Sequence, residues 1–320
     1  MSVQAGAEAA LERLRAELAA VAPGGPSVVT VGKFDGVHIA HAEIVRTVVA
    51  RARARGAAAG VLTFDPLPYV VFNPGKPYHY LCTVEERLER LRALGADFVA
   101  TITFSLALSR LSAREFLEAL VQTLGMVEFV GGPDAAIGRD REGSGERLRA
   151  LSRELGFTFV EVPPVLLDGV VVNSSLVRHF LWDGAVERAA RALGRPYRLS
   201  GTVVPGDRRG RELGFPTANL LPPPHLILPG DGIYGCRATV DGMTYRAAVN
   251  IGVRPTFGES LQRLIEAFLL DFEGDLYGRL LTLEFIHRVR AETRFASVDA
   301  LITQMHDDVR QVRERVDLGE

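Results

Sequence analysis

Lysine is nearly missing from this chain: Lys33 and Lys76 are the two it has, so almost all the positive charge of its 37 basic residues is arginine. That bias reflects genome composition as easily as a need for bidentate phosphate binding. Cysteine is equally scarce. Cys82 and Cys236 stand far apart without metal-ligand spacing, which gives neither a disulfide framework nor a zinc signature and fits a reducing cytoplasm. No apolar run approaches the length that spans a bilayer. Residues 1–22 interleave Glu8, Glu12, Arg13, Arg15 and Glu17 with alanine and leucine, as a surface helix does and an export signal does not. An excess of one charge is lacking too: 37 basic against 39 acidic side chains leave a formal charge of -2, with no electrostatic reason for a nucleic acid or an anionic membrane as partner. The expectation is a soluble cytoplasmic protein acting on a small substrate, its oligomeric state open.

What is present is enough material for two cores: 320 residues, 47% of them hydrophobic, exceed the usual size of one domain. From Ser27, buried-strand patterns at 28–31, 58–64, 98–103 and 127–131 alternate with helical periods at 41–55, 83–94, 113–124 and 145–155, before a further strand at 158–162. That alternation predicts a parallel sheet with helices on both faces. After a helical stretch at 184–193 the texture changes to short β-like runs at 197–204, 232–240, 244–251, 264–270 and 280–289, separated by glycine and proline. They predict a small antiparallel barrel followed by a terminal helix at 298–312. The change of texture places the domain boundary between residues 184 and 185, giving domains 1–184 and 185–320.

Two segments carry chemistry. In GKFDGVHIAHAEIV, Gly32 to Val45, a strand passes through a glycine turn into a helix, so backbone N–H groups and the positive helix end converge where a phosphate can sit. Gly32 and Gly36 permit the turn, Phe34 and Asp35 lie within it, and His38 and His41 share one side of the opening helical turn, placed to donate hydrogen bonds to phosphate oxygens. A helical histidine pair by itself is more often structural; its setting makes it a candidate here. The second segment is GTVVPGDRRGRELGFPTANL, Gly201 to Leu220. Its glycines let backbone approach phosphates, and the Thr217 hydroxyl and Asn219 amide can complete the oxygen shell of a magnesium ion.

These segments resemble a known family. The first is similar to the nucleotidyltransferase signature of a His, two residues and a His, and with its Phe34-Asp35-Gly36 lead-in it resembles the flavin adenylyltransferase module of bacterial bifunctional riboflavin kinase/FMN adenylyltransferases (FAD synthetases). The second, with Gly206, Gly210, Arg211, Gly214 and Phe215-Pro216-Thr217-Ala218-Asn219, resembles the riboflavin kinase signature. Together they imply a Rossmann-like α/β nucleotidyltransferase domain followed by a β-barrel kinase domain. The implied activities are phosphorylation of riboflavin to FMN and adenylylation of FMN to FAD, with ATP as co-substrate, Mg2+ as cofactor, and riboflavin, FMN and ATP as the molecules bound.

The resemblance also assigns residues. It implies nucleotide or flavin binding by Gly32, Phe34, Asp35, Gly36, Asp134, Ser174, Ser175 and Arg178 around the His38/His41 pair, and by Gly206, Arg211, Gly214, Pro216, Asn250 and Arg290 in the second half. Metal binding falls to Thr217 and Asn219, and Glu266 becomes the base that takes the ribityl hydroxyl proton. Tyr234 and the runs 250–258 and 269–278 fit the family order. Asp307 and Asp308 are expected to be solvated. The chain departs from the pattern at Leu67 and Phe268, where the family usually has histidine, and at Ala135 and Ile137, where it usually has phenylalanine. These changes take aromatic faces and a polar donor from the expected flavin and adenine pocket. They keep two other readings open: a riboflavin kinase with a degenerate adenylyltransferase domain, and a non-catalytic flavin-binding or regulatory protein.

Overall fold

A computed structural model describes residues 3–206, 214–254 and 262–318. Its contacts divide the chain into two units, one made of residues 1–78 and 83–172, the other of residues 79–82 and 173–320.

The first unit is built on five strands, β1 Ser27–Val31, β2 Ala58–Asp65, β3 Phe98–Thr103, β4 Met126–Gly131 and β5 Thr158–Glu161, hydrogen-bonded in the order β3-β2-β1-β4-β5. Every neighbouring pair is parallel, as the alternating pattern predicted. Strand side chains alternate between faces, so the sheet separates two cores. Val29 belongs to one, with Leu14 and Leu18 of α1 (Val3–Ala19), Phe116 and Leu120 of α4 (Ala113–Leu124) and Leu148 and Leu151 of α5 (Gly145–Leu155). Val28 belongs to the other, with Val45 and Val48 of α2 (Ile39–Arg55) and Leu91 of α3 (Val84–Ala93). Because β2 lies on one side of β1 and β4 on the other, the chain changes direction across the sheet between β1 and β4. In such sheets ligands bind beyond the carboxyl ends of the strands at that point, where residues 32–38 and 132–134 emerge.

The second unit contains a closed six-stranded barrel in the order β6-β7-β10-β9-β8-β11, with β6 Tyr197–Val204, β7 Ala218–Leu221, β8 Gly232–Val240, β9 Met243–Arg254, β10 Gln262–Leu269 and β11 Leu280–Arg290. All its pairs are antiparallel. Tyr234, Cys236, Ala238, Ile265, Ala267, Leu281, Leu283 and Phe285 are fully buried at alternate strand positions. Helix α8, Val298–Arg315, seats Val312 against Leu270 and Phe268. Helices α6 (Ser174–Trp182) and α7 (Val186–Leu193) also belong to this unit. Gly184 between them leaves room where a Cβ would fall 2.6 Å from the Tyr234 hydroxyl. The contacts of α6 therefore set the division at Val172/Asn173, ahead of the boundary suggested by the change of texture. Residues 79–82 join the same unit through Tyr80, whose N–H donates to the His225 carbonyl at 2.8 Å and whose carbonyl accepts from Ile227 at 3.0 Å.

Candidate active sites

In the first unit the turn after β1 is tightly constrained. Phe34 and Val37 adopt positive φ, 49° and 42°, around Gly36 at 81°, a conformation unfavourable for side chains with a Cβ. The Phe34 ring packs back on Gly32, where a Cβ would sit 3.0 Å away, and meets the His41 ring edge-on at 5.1 Å. Asp35 is buried and accepts a hydrogen bond from the Tyr78 hydroxyl at 3.2 Å. His38 is the N-cap of α2: its Nδ1 accepts the His41 backbone N–H at 3.3 Å. The proton of a neutral His38 is therefore on Nε2. The two imidazoles stack at 3.6 Å. Burial holds His41 well below the ordinary histidine value, helped by the neighbouring His38 ring and by the charges on Lys33 and Arg87, so His41 is neutral at neutral pH. A neutral His41 imidazole at a helix start, at the β1/β4 switch point, can donate to a phosphate oxygen without bringing a labile charge of its own.

Asp134 lies at the end of β4 on an exposed turn, its carbonyl accepting from Arg141 at 3.0 Å, its Oδ1 3.2 Å from where a Gly132 Cβ would be. The substitutions at 67 and 137 prove to be core positions: Leu67 is fully buried and Ile137 lies in the core with Leu108, Leu111 and Phe116. Ala135 packs its methyl over Gly131. Elsewhere in the same unit Phe104 lies edge-on to Phe64 at 5.4 Å and to half-exposed Phe72 at 5.5 Å, and Tyr69 lies beside Tyr78 at 5.2 Å. Ser174, Ser175 and Arg178 belong to the second unit. Asn173, not either serine, caps α6, accepting from the Leu176 N–H at 2.9 Å, and the buried Arg178 donates Nε–H to the His79 carbonyl at 2.8 Å.

On the barrel, strand register assembles what sequence distance separates. Asn219 of β7 pairs with Glu266 of β10, and Glu266 pairs with Asn250 of β9, so the three side chains form a row across adjacent strands on the face opposite Ile265 and Ala267. Asn219 is buried against Gly206, where a Cβ would fall 1.9 Å from the amide nitrogen; any side chain there would displace the Asn219 amide. The Asn250 Oδ1 is buried with no protein donor. On the same face Phe268 meets Phe215 edge-on at 5.4 Å, and Phe215 meets His306 of α8 at 5.1 Å. Phe268 thus has an aromatic partner where the family usually places histidine. Gly214 takes positive φ, 85°, beside an exposed Pro216 and a half-buried Thr217. Arg211 lies outside the described residues, as do Gly210 and residues 255–261. The expectation for Asp308 is corrected: it is buried, gripped by Arg290 at 2.8–3.1 Å and by Gln304 at 3.0 Å. Arg290 fixes α8 to β11 by this pair and stacks on Phe295 at 5.5 Å. Asp307 pairs with Arg310 on the surface.

Sequence reasoning missed Arg87, a fully buried arginine of α3 whose segment, EERLERLR, has the charge pattern of a solvated helix. Nothing local marks it; its burial follows from packing α3 against β3.

Comparison with known proteins agrees with both halves. The FAD synthetase family model matches residues 22–176 and the riboflavin kinase family model residues 193–316. The bifunctional riboflavin kinase/FMN adenylyltransferase of Pseudomonas fluorescens is 38% identical over 89% of this chain and 92% of its own, and that of Escherichia coli K12 is 35% identical over 92% and 94%. The chain belongs to the bifunctional riboflavin kinase/FMN adenylyltransferase family. A crystal structure titled as a macrolide-efflux protein of Streptococcus pneumoniae superposes with a TM-score of 0.86 at 30% identity, covering 93% of this chain and 97% of that one. Among the described residues no helix is long and apolar enough to cross a membrane. The His38/His41 loop lies within the span matched by the FAD synthetase model, and the Asn219-Glu266-Asn250 row within the span matched by the riboflavin kinase model.

Proposed function

We propose that this enzyme phosphorylates riboflavin at the barrel and then adenylylates the FMN produced at the β1/β4 switch point, using ATP in both steps. The observation that carries the reading is the register-built row Asn219-Glu266-Asn250, a carboxylate flanked by two amides beside the glycine at 206. In the first step the ribityl 5'-hydroxyl oxygen attacks the γ-phosphorus of ATP, the bond to the bridging oxygen breaks, and ADP leaves; Glu266 accepts the hydroxyl proton. In the second an FMN phosphate oxygen attacks the α-phosphorus of another ATP and pyrophosphate leaves. His38 and His41 donate to the phosphate oxygens as charge builds, and the Gly32–Gly36 backbone holds them in place.

Thr217 and Asn219 fit a magnesium ion as neutral oxygen donors of the kind that leaves most of the shell to water and nucleotide phosphates. Among the described residues no cluster of three His, Cys, Asp or Glu competes for that role. The chemistry Mg2+ supplies when bound is neutralisation of phosphate charge.

The test is incubation of the protein with riboflavin, excess ATP and Mg2+, with riboflavin, FMN and FAD followed separately by chromatography. FMN rising first and FAD following supports the reading. Accumulation of FMN alone removes the second activity, and absence of both products removes the enzyme reading.

A further inference from the structure

Arg87 heads the largest fully buried side chains of the described residues, yet no carboxylate pairs with it. Arg51 and Arg55 share Glu128, Arg90 has Glu86 and Arg290 has Asp308. Arg87 has oxygens only: its Nη1 donates to the Phe64 carbonyl at 2.9 Å, and to the Lys33 carbonyl and Thr63 Oγ1 at 3.3 Å each. Its Nε and Nη2 are buried without any acceptor. A permanent cation taken out of water without a counter-ion is strongly unfavourable, and an apolar residue of similar volume is commonly the more stable choice. Stability therefore gives no reason for arginine here.

Its position gives one. The three oxygens lie at the carboxyl ends of β1 and β2, and Thr63 Oγ1 itself donates to the Lys33 carbonyl at 3.0 Å. Lys33 immediately precedes the left-handed Phe34, so the guanidinium braces the root of the turn that carries His38 and His41. Its charge is also felt at His41, inside the same phosphate-facing helix start.

We propose that Arg87 is a positioning residue of the adenylyl-transfer site, clamping the Lys33 carbonyl beneath the Gly32–His38 turn and holding there a fixed positive charge whose counter-ion is the polyphosphate of ATP. The inference rests on the adenylyltransferase reading and adds a residue that never touches the reacting atoms. Its effect falls on nucleotide affinity and on the geometry of the turn; the urea midpoint of each variant reports whether the first unit is folded, and the riboflavin kinase rate of the same molecule serves as a control on the second unit.

The experiment compares wild type, R87M and R87K in FAD formation from supplied FMN, and in the reverse reaction, in which FAD and pyrophosphate give FMN and ATP. R87M is expected to raise the KM for ATP and for pyrophosphate about tenfold or more, equivalent to about 1.4 kcal/mol of binding, while riboflavin phosphorylation stays within about twofold by the same conversion. R87K restores the charge without the three-oxygen clamp, so KM recovers more than kcat does. R87M with unchanged KM values in both directions overturns the proposal. If R87M loses kinase activity as well, R87K decides: wild-type kcat and KM in that variant would equally remove the clamp. A wild type that forms no FAD defeats the adenylyltransferase reading instead, and calorimetry with pyrophosphate on wild type and R87M then judges Arg87 alone, equal affinity counting against it.

Discussion

Glu266 stands in a strand whose inward neighbours, Ile265 and Ala267, fill the barrel, so its own side chain is forced to the other face, between Asn219 and Asn250. Replacing it by glutamine keeps the shape and removes the proton acceptor. E266Q is expected to slow FMN formation by about 10²–10⁴-fold, the usual contribution of a general base, and to leave FAD formation from supplied FMN unchanged. Gly206 permits a sterically sharper test. A methyl there would occupy the position of the Asn219 amide, so G206A is expected to displace Asn219 and lower the kinase rate selectively, checked by the same two assays. The pH behaviour of His41 follows from its depressed value. Native His41 stays neutral where the unfolded residue, with its ordinary value of 6.5, takes up a proton. Stability is therefore unaffected above that value and falls as pH drops below it, levelling off once native His41 protonates. Urea midpoints of wild type and H41Q between about pH 8 and pH 5 should converge toward the acidic end if this linkage operates.

At the scale of elements, a buried carboxylate secures α2. Glu128 of β4 is fully buried and holds Arg51 and Arg55 from the last turns of that helix, at the end opposite His41. Both arginines are partly exposed and can return to water, so E128A is expected to cost roughly 2–3 kcal/mol, below the range for a wholly buried pair, with KM values unchanged; denaturant titration alongside FAD assays checks both. The elements themselves were largely legible. β3, β6, β8, α4 and α5 fall where their periodicities place them, because each buries its own regular face. Strand β7, Ala218–Leu221, was hidden, since Pro216-Thr217-Ala218-Asn219 reads as a phosphate loop and pairs only through partners distant in sequence. Register was equally unreadable: nothing local announces that Asn219, Glu266 and Asn250 align. The same limit explains Asp308, whose acidic neighbour and helical setting suggest solvent, and Leu67 and Ile137, which depart from the family pattern and lie at buried core positions.

For the whole molecule, the groups assigned to phosphorylation lie in the barrel unit, and the histidine pair lies in the other. Sequence texture distinguished two folds and placed their boundary at 184/185, whereas the contact-based division falls at 172/173, because α6 carries an adenylyltransferase-like sequence while Phe180 and Leu181 bury themselves in the second unit. Separate chemistry predicts complementation. H38A is expected to convert riboflavin to FMN at the wild-type rate and to form no FAD, while E266Q forms FAD only when FMN is supplied. Neither variant alone makes FAD from riboflavin at an appreciable rate. Mixed in one tube with riboflavin, ATP and Mg2+, they should produce FAD after a lag that shortens as the protein concentration rises, since FMN released by one molecule must diffuse to another. A mixture that accumulates FMN without FAD would mean that the second step accepts only FMN made in the same molecule, and that the two units do not work as independent catalysts.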